Sequence, residues 1–417
     1  MICVPAAKTG LERRVNMARA LAALEIGTSQ VRVLVAQPRE DKHILITGVG
    51  IVPSRGIRKG QVMDVKNAVS CVKQALSEAE EQADVSLQEV LLVCSGGLFR
   101  QIVNRGMVSF PSESVVTDED RVDAIRNARA VNLPPEFEVI HAFPQYFYTR
   151  ADLSGGVTNP VGMNGSRLSV DMLILYAERM GLNNLVTVAE EAGLDVYDVA
   201  FSGLCSALGV LTPPQREGGA LLIDLGGGTT DYVLYQDNLA LRAGGFAVGG
   251  DHVTHDISIG LSLSTPQAER LKRKHAEAMV DLLARDRKVS VPPDGGFRGG
   301  DVRSRDLNTI VHARMQETFE LIKSALGEDL FRRGLRAGVV LTGGGARLPR
   351  VTELASQVFE MPCHVGLPKE VSGLSTPGDN PEFAAAIGMI RHMLQTDLQN
   401  PRGFSIRNLF KPFLSKK

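Results

Sequence analysis

Two carboxylates stand out as groups that could do chemistry: Glu25 in LEIGTS (Leu24 to Ser29) and Asp224 in IDLGGGTTD (Ile223 to Asp231). Each ends an apolar run and is followed by glycines and hydroxyls. Glycine lets a backbone approach an anion closely and turn successive N–H groups toward it, and Thr28, Ser29, Thr229 and Thr230 add donors. Both stretches read as hairpin turns built to touch phosphate, with Gly27, Thr28 and Ser29 on one side and Gly226, Gly227, Gly228 and Thr229 on the other. Glu25 and Asp224 would then face a phosphate-bound Mg²⁺ through water, because that ion dehydrates reluctantly. A third turn, LTGGGA (Leu341 to Ala346), offers Gly343, Gly344 and Gly345 as a flat backbone on which a base can lie.

A single GGG between strands is as readily a tight hairpin as a ligand loop. Order and spacing carry more weight. Two phosphate-type hairpins some two hundred residues apart imply two duplicated halves facing a common cleft. That is the plan of the nucleotide-binding fold of actin, sugar kinases and DnaK-like chaperones. The expected class is therefore α/β, an actin-like duplicated ribonuclease-H-type fold with an inserted α+β subdomain.

At 417 residues the chain exceeds a single hydrophobic core and suits two to four lobes. A formal net charge of −1 excludes a generally nucleic-acid-seeking surface, so no nucleic acid partner is expected. Five scattered cysteines without C-x-x-C spacing read as reduced, buried thiols of a cytoplasmic protein. His252 and His255 lie one helical turn apart, but no Cys, Asp or Glu cluster completes a zinc site there. No run of about eighteen apolar residues is present to cross a bilayer. The first twenty residues lack the apolar core of a signal peptide, so residues 1–21 read as a disordered extension, with Met17 an alternative start.

Periodicity divides the remainder. Residues 22–87 read as the first-half body (subdomain 1A), completed by 170–200 and 372–397, with Asp64 capping a helix that places Val65, Ala68, Val69, Val72 and Leu76 on one face. Residues 88–169 carry strands and a helix of their own and read as the inserted subdomain. Residues 201–245, completed by 330–371, form the second-half body (2A), and 246–329 its smaller lobe (2B). Within that lobe the polar, glycine-rich stretch from Val289 to Arg305 is expected as an exposed loop.

From Ala23 onward the chain resembles the FtsA family of actin-like bacterial division proteins, on the residues TNPVG (Thr158 to Gly162), VGGDHVTHDISIGL, AERLK (Ala268 to Lys272) and VVLTGGGARL followed by VFEMPCHVG. The resemblance implies ATP and Mg²⁺ as cofactors, with the first two turns on the β- and γ-phosphates and the third under the base. It implies that Glu269 and Lys272 reach the ribose and adenine; apart from it they read as a surface ion pair one helical turn apart. Aligning FSGLCSALGVL sets Ser202 where hydrolysing members of the superfamily carry Glu or Gln to orient water. A hydroxyl is a poor base at neutral pH, so at most weak ATPase activity is expected.

The resemblance further implies self-association into filaments, later division proteins recruited by the inserted subdomain (1C), and the FtsZ C-terminal peptide bound among helices between Asp251 and Leu335. Its implied place is the cytoplasmic face of the inner membrane at the division site. The alternatives are a PilM-like adaptor of pilus assembly, which shares the insertion and both turns, and a small-molecule kinase, for which no catalytic carboxylate is evident on cleft-facing segments. An MreB-type shape protein carries a different kind of insertion.

After Pro401 the chain ends RGFSIRNLFKPFLSKK. Ile406, Leu409, Phe410, Phe413 and Leu414 recur at helical spacing, and Arg407, Lys411, Lys416 and Lys417 supply only positive charge. This fits an interfacial helix on an anionic lipid membrane, each cation contributing about 1 kcal/mol near the surface. Pro412 removes a donor and clashes with the carbonyl of Asn408, so the helix is short or kinked.

Overall fold

The computed structural model describes residues 20–39, 43–150, 153, 155–281, 283, 286–327, 334–374 and 378–399, the last five without their side chains. The duplication is visible in sheet order. One sheet runs Asp195–Phe201, Glu89–Cys94, Leu21–Ile26, Gln30–Pro38, Ile44–Pro53 and Val371–Gly373. The other runs Cys363–Val365, Val339–Thr342, Ala220–Leu225, Thr230–Gln236 and Leu239–Phe246. In both, a central strand pairs antiparallel with the next strand in sequence and parallel with a later one. The register also repeats, since Glu25 lies opposite Arg32 and Asp224 opposite Asp231.

The strand Glu89–Cys94 is apolar on both faces because helices cover both. The helix Val65–Ala83, capped by Asp64 accepting from the Asn67 N–H at 3.1 Å, buries Ala68, Val69, Val72 and Leu76 in one core. The helix Ala384–Gln399 buries Ala386, Ile387 and Ile390 against Ala23, Leu91 and Val93 from the other side. It also crosses the helix Ser202–Val210, which enters between the halves. The crossing is tight enough that a Cβ on Gly388 would lie 1.6 Å from the Cys205 carbonyl oxygen, and one on Gly209 2.4 Å from that of Ala384.

The inserted lobe is a three-stranded antiparallel sheet, Phe99–Val115, Asn164–Glu178 and Phe137–Tyr148, with the helix Asp118–Arg129 on one face. Its limits differ from those expected. Glu89–Cys94 belongs to the first-half sheet, where it pairs with Leu21–Ile26. The segment from Val170 to Tyr176, assigned to the first half by its apolar run, is the continuation of the central inserted strand. Val289 to Arg305 is also not a plain loop: Lys288–Val291 pairs with Gly300–Arg303, because Val291 and Val302 find a core to bury in.

The inserted lobe rests on both halves. Gln145 Nε2 donates to the carbonyls of Ala240 and Leu241 at 2.8 and 2.9 Å, the Ala243 N–H donates to Gln101 Oε1 at 3.0 Å, and Tyr146 Oη donates to Asp237. These cover the edge strand Leu239–Phe246 of the second half. On the first half, the Phe201 N–H donates to His141 Nε2 at 3.1 Å. Burial holds that imidazole neutral by pushing its pKa down to about 3.

The helix crossing gives a direct test. Gly388→Ala should lower the urea midpoint by the equivalent of about 1–3 kcal/mol or more, through overpacking against the Cys205 carbonyl. An unchanged midpoint would show that the crossing can relax.

Candidate functional site

The three glycine turns meet. Glu25, Gly27, Thr28 and Ser29 line one cleft together with Asp224, Gly226, Gly227, Gly228 and Thr229, and with Gly343, Gly344 and Gly345. Ser202, Glu269 and Lys272 line it as well. The two phosphate-type turns touch: a Cβ on Gly228 would lie 2.4 Å from Thr28 Oγ1, and one on Gly227 2.9 Å from Ser29 Cβ. The second turn is braced from behind by the helix Gly250–Gly260, whose Gly250 and Asp251 N–H groups donate to the Gly226 and Gly227 carbonyls at 3.0 and 2.7 Å. The first is braced by the Gly60 N–H, which donates to Thr28 Oγ1 at 2.9 Å.

Glu269 and Lys272 sit one turn apart on the helix Thr265–His275, and they form a 2.6 Å ion pair. Lys272 Nζ also donates to the Gly250 carbonyl at 2.9 Å and to Thr254 Oγ1 at 2.8 Å, while Thr254 donates to Glu269. Burial works against the Glu269 charge, but Lys272 and the donors around it outweigh burial and leave the pKa below the ordinary carboxylate range. Met315 and Thr318 of the helix Ser304–Leu326 line the cleft as well. The sequence alone singles out neither residue, because nothing local distinguishes a cleft-facing turn of a long helix from a core-facing one.

Asp231 was also missed as a functional group. It lies 2% exposed in the cleft floor, accepting from the Ser202 hydroxyl and from the Gly96 N–H at 2.9 Å. The cleft therefore does hold a further carboxylate, contrary to expectation. The signal was available in the hairpin register, which sets Asp231 directly opposite Asp224. Burial pushes Asp231 up to about 8 and Asp224 up to about 6, in each case against a donating serine, Ser202 or Ser206. Burial raises Glu25 too, against the pull of Arg32.

Glu25 Oε2 is buried with no hydrogen-bond partner. An acceptor left without a donor beside two more acids is the environment a cation relieves. Among the described residues no three acidic, histidine or cysteine side chains converge to hold a metal directly. The residues fit an ion such as Mg²⁺ that keeps its water and takes further ligands from phosphate.

The family model described as cell division protein FtsA matches residues 221–388, and that of the SHS2 domain inserted in FtsA matches residues 96–176. The cell division protein FtsA of Neisseria meningitidis serogroup B is 32% identical, with 93% of this chain and 94% of that one aligned. The chain belongs to the FtsA family. FtsA of Escherichia coli K12 is likewise 32% identical over 90% of each chain. Among solved structures, the PilM–PilN type IV pilus biogenesis complex matches with a TM-score of 0.60 at 16% identity, covering 89% of this chain and 98% of that one. MreB5 of Spiroplasma citri bound to ADP matches with a TM-score of 0.56 at 14% identity, covering 93% and 100%. These likenesses establish the actin-like fold. The SHS2 match also spans most of the inserted sheet, from Phe99 to Tyr176.

The buried acids of this FtsA-family cleft make stability depend on pH. Asp224 and Asp231 have native pKa values above the ordinary 3.8, so the native state binds more protons than the unfolded one at intermediate pH. Their contribution is full at low pH and is lost as pH rises through about 6 and about 8. Without nucleotide or Mg²⁺, the urea midpoint should fall between about pH 7, above the range in which buried His141 acts in the opposite sense, and about pH 8.5, and Asp231→Asn should flatten that fall. The same slope in the variant would show Asp231 to be ionised already.

Proposed function

We propose that this FtsA-family protein binds ATP with Mg²⁺ in the cleft and uses the nucleotide to clamp its two halves rather than as fuel. The observation that carries the reading is the convergence of three glycine turns, two from equivalent hairpins of opposite halves, on one cleft. Gly27, Thr28 and Ser29 take the phosphates from one side and Gly226, Gly227, Gly228 and Thr229 from the other. The base lies over Gly343, Gly344 and Gly345, with Glu269 and Lys272 at the ribose and adenine. Asp224 and Glu25 hold Mg²⁺ through water, and the ion when bound offsets phosphate charge.

Ser202 supports slow turnover. Its hydroxyl donates to Asp231, whose raised pKa leaves only a minor fraction ionised and able to accept a proton at neutral pH. Turnover above about one per second, the low end of ordinary enzymes, would overturn the clamp reading.

In the cell the protein acts as a filament on the cytoplasmic face of the inner membrane, tethering the FtsZ ring and recruiting later division proteins through the inserted lobe. Among the described residues no helix is long and apolar enough to cross a membrane. The tether is assigned to Ile406, Arg407, Leu409, Phe410, Lys411, Phe413 and Leu414, which lie outside the described residues. One short amphipathic helix binds lipid marginally, so attachment rests on many tails along a polymer.

Removing residues 404–417 should abolish co-sedimentation with anionic liposomes in the presence of ATP, and retained binding would refute the tether. Capture of the protein by the C-terminal peptide of FtsZ separates this reading from a pilus-assembly adaptor, for which no such capture is expected.

A further inference from the structure

The equivalent hairpins carry opposite charges at equivalent positions. Across from Asp224 stands an acid, Asp231, and across from Glu25 stands a cation, Arg32. Arg32 is 9% exposed, lies over the Phe383 ring and lines the cleft. Its Nη2 donates to Gln30 Oε1 at 2.7 Å and to Glu382 Oε2 at 2.9 Å, and its Nη1 to Glu25 Oε1 at 3.3 Å. Three of the five guanidinium donors are thus used, and the buried Nε–H has no partner.

The other cations lining the cleft among the described residues are each paired with a carboxylate. Lys272 spends its donors on Gly250, Thr254 and Glu269, and Arg273 pairs with Glu269. Arg347, beside the third turn, donates to Glu382 Oε1 at 3.2 Å. Glu382 is therefore shared between Arg32 of the first half and Arg347 of the second. It sits in the 3-10 turn Pro381–Phe383, whose Pro381 carbonyl accepts from the Gly343 N–H at 3.2 Å and from Thr342 Oγ1 at 3.1 Å. The helix Ala384–Gln399 follows directly.

We propose that Arg32 is a phosphate ligand of the cleft, held by Glu382 until nucleotide arrives, and that phosphate displaces Glu382 from Arg32 and leaves it to Arg347. The inference rests on the reading of the cleft as an ATP site. An arginine fork meets phosphate oxygens with two parallel N–H bonds, whereas the contact with Glu382 uses only one. The exchange conserves charge pairing: Arg32 trades a carboxylate for a phosphate, and Glu382 keeps a guanidinium partner. It also carries the state of the first turn to the root of the last helix, because Glu382 moves toward the third turn.

The decisive comparison is equilibrium binding of ATP, with Mg²⁺, to full-length wild type, Arg32→Gln, Arg32→Lys and Glu382→Gln, with adenosine as control. Arg32→Gln should weaken ATP binding about tenfold and Arg32→Lys by less, and neither should change adenosine binding. Glu382→Gln should tighten ATP binding several-fold, because the competing carboxylate is gone. Weaker ATP binding by Glu382→Gln would make Glu382 a mere positioning residue and overturn the exchange, as would unchanged affinity in Arg32→Gln. Failure of wild type to bind ATP at all would instead defeat the assignment of the cleft. Amide exchange at residues 382–386 adds a readout independent of affinity: ATP should alter it in wild type but not in Glu382→Gln, and equal changes in both would count against the exchange.

Discussion

The half-buried Glu25 and Asp224 and the buried Asp231 line one cleft where the two halves meet, with the guanidinium of Arg32 paired to Glu25. Burial of like charges is costly, and here it is met in three ways: protonation is favoured, serine hydroxyls and a backbone N–H donate, and Arg32 bridges to Glu25 and Glu382. None of these satisfies Glu25 Oε2. The cleft thus keeps one acceptor without a donor, which supports the proposed binding of a hydrated cation together with phosphate.

The surrounding architecture keeps that floor in place. The central strands of both sheets deliver their carboxylates at the same register, and the glycine turns that follow let the halves come within contact of each other. Two helices, Ser202–Val210 and Ala384–Gln399, cross in backbone contact at Gly209 and Gly388. One begins at Ser202, which bonds Asp231, and the other just after Glu382, which bonds Arg32. The floor is thus bonded directly at the start of one crossing helix and just ahead of the other.

The turns were legible in the sequence because a phosphate-type hairpin is local: glycines, hydroxyls and a carboxylate sit within nine residues in the run Ile223 to Asp231. The duplication was legible for the same reason, seen twice. What lay hidden depends on distance or register. Arg32 and Glu382 meet across 350 positions of sequence, and no periodicity announces that meeting. Asp231 stood in plain view at the end of a recognised motif, yet its role follows only from the strand pairing that sets it opposite Asp224. The segment from Val170 to Tyr176 misled because an apolar strand reads alike whichever sheet receives it.

The inserted lobe enters and leaves through neighbouring strands: Phe99 at its start is paired with Ala177 near its end. An insertion closed on itself in this way asks little of its host, since the chain departs after Glu89–Cys94 and returns to the helix Arg179–Glu191 from almost the same point. Such a lobe leaves the strands and turns of the cleft in their own sheets, unbroken by the insertion. Its side-chain ties to the edge strand Leu239–Phe246 are then the contacts that set how firmly the inserted lobe is held to the second half.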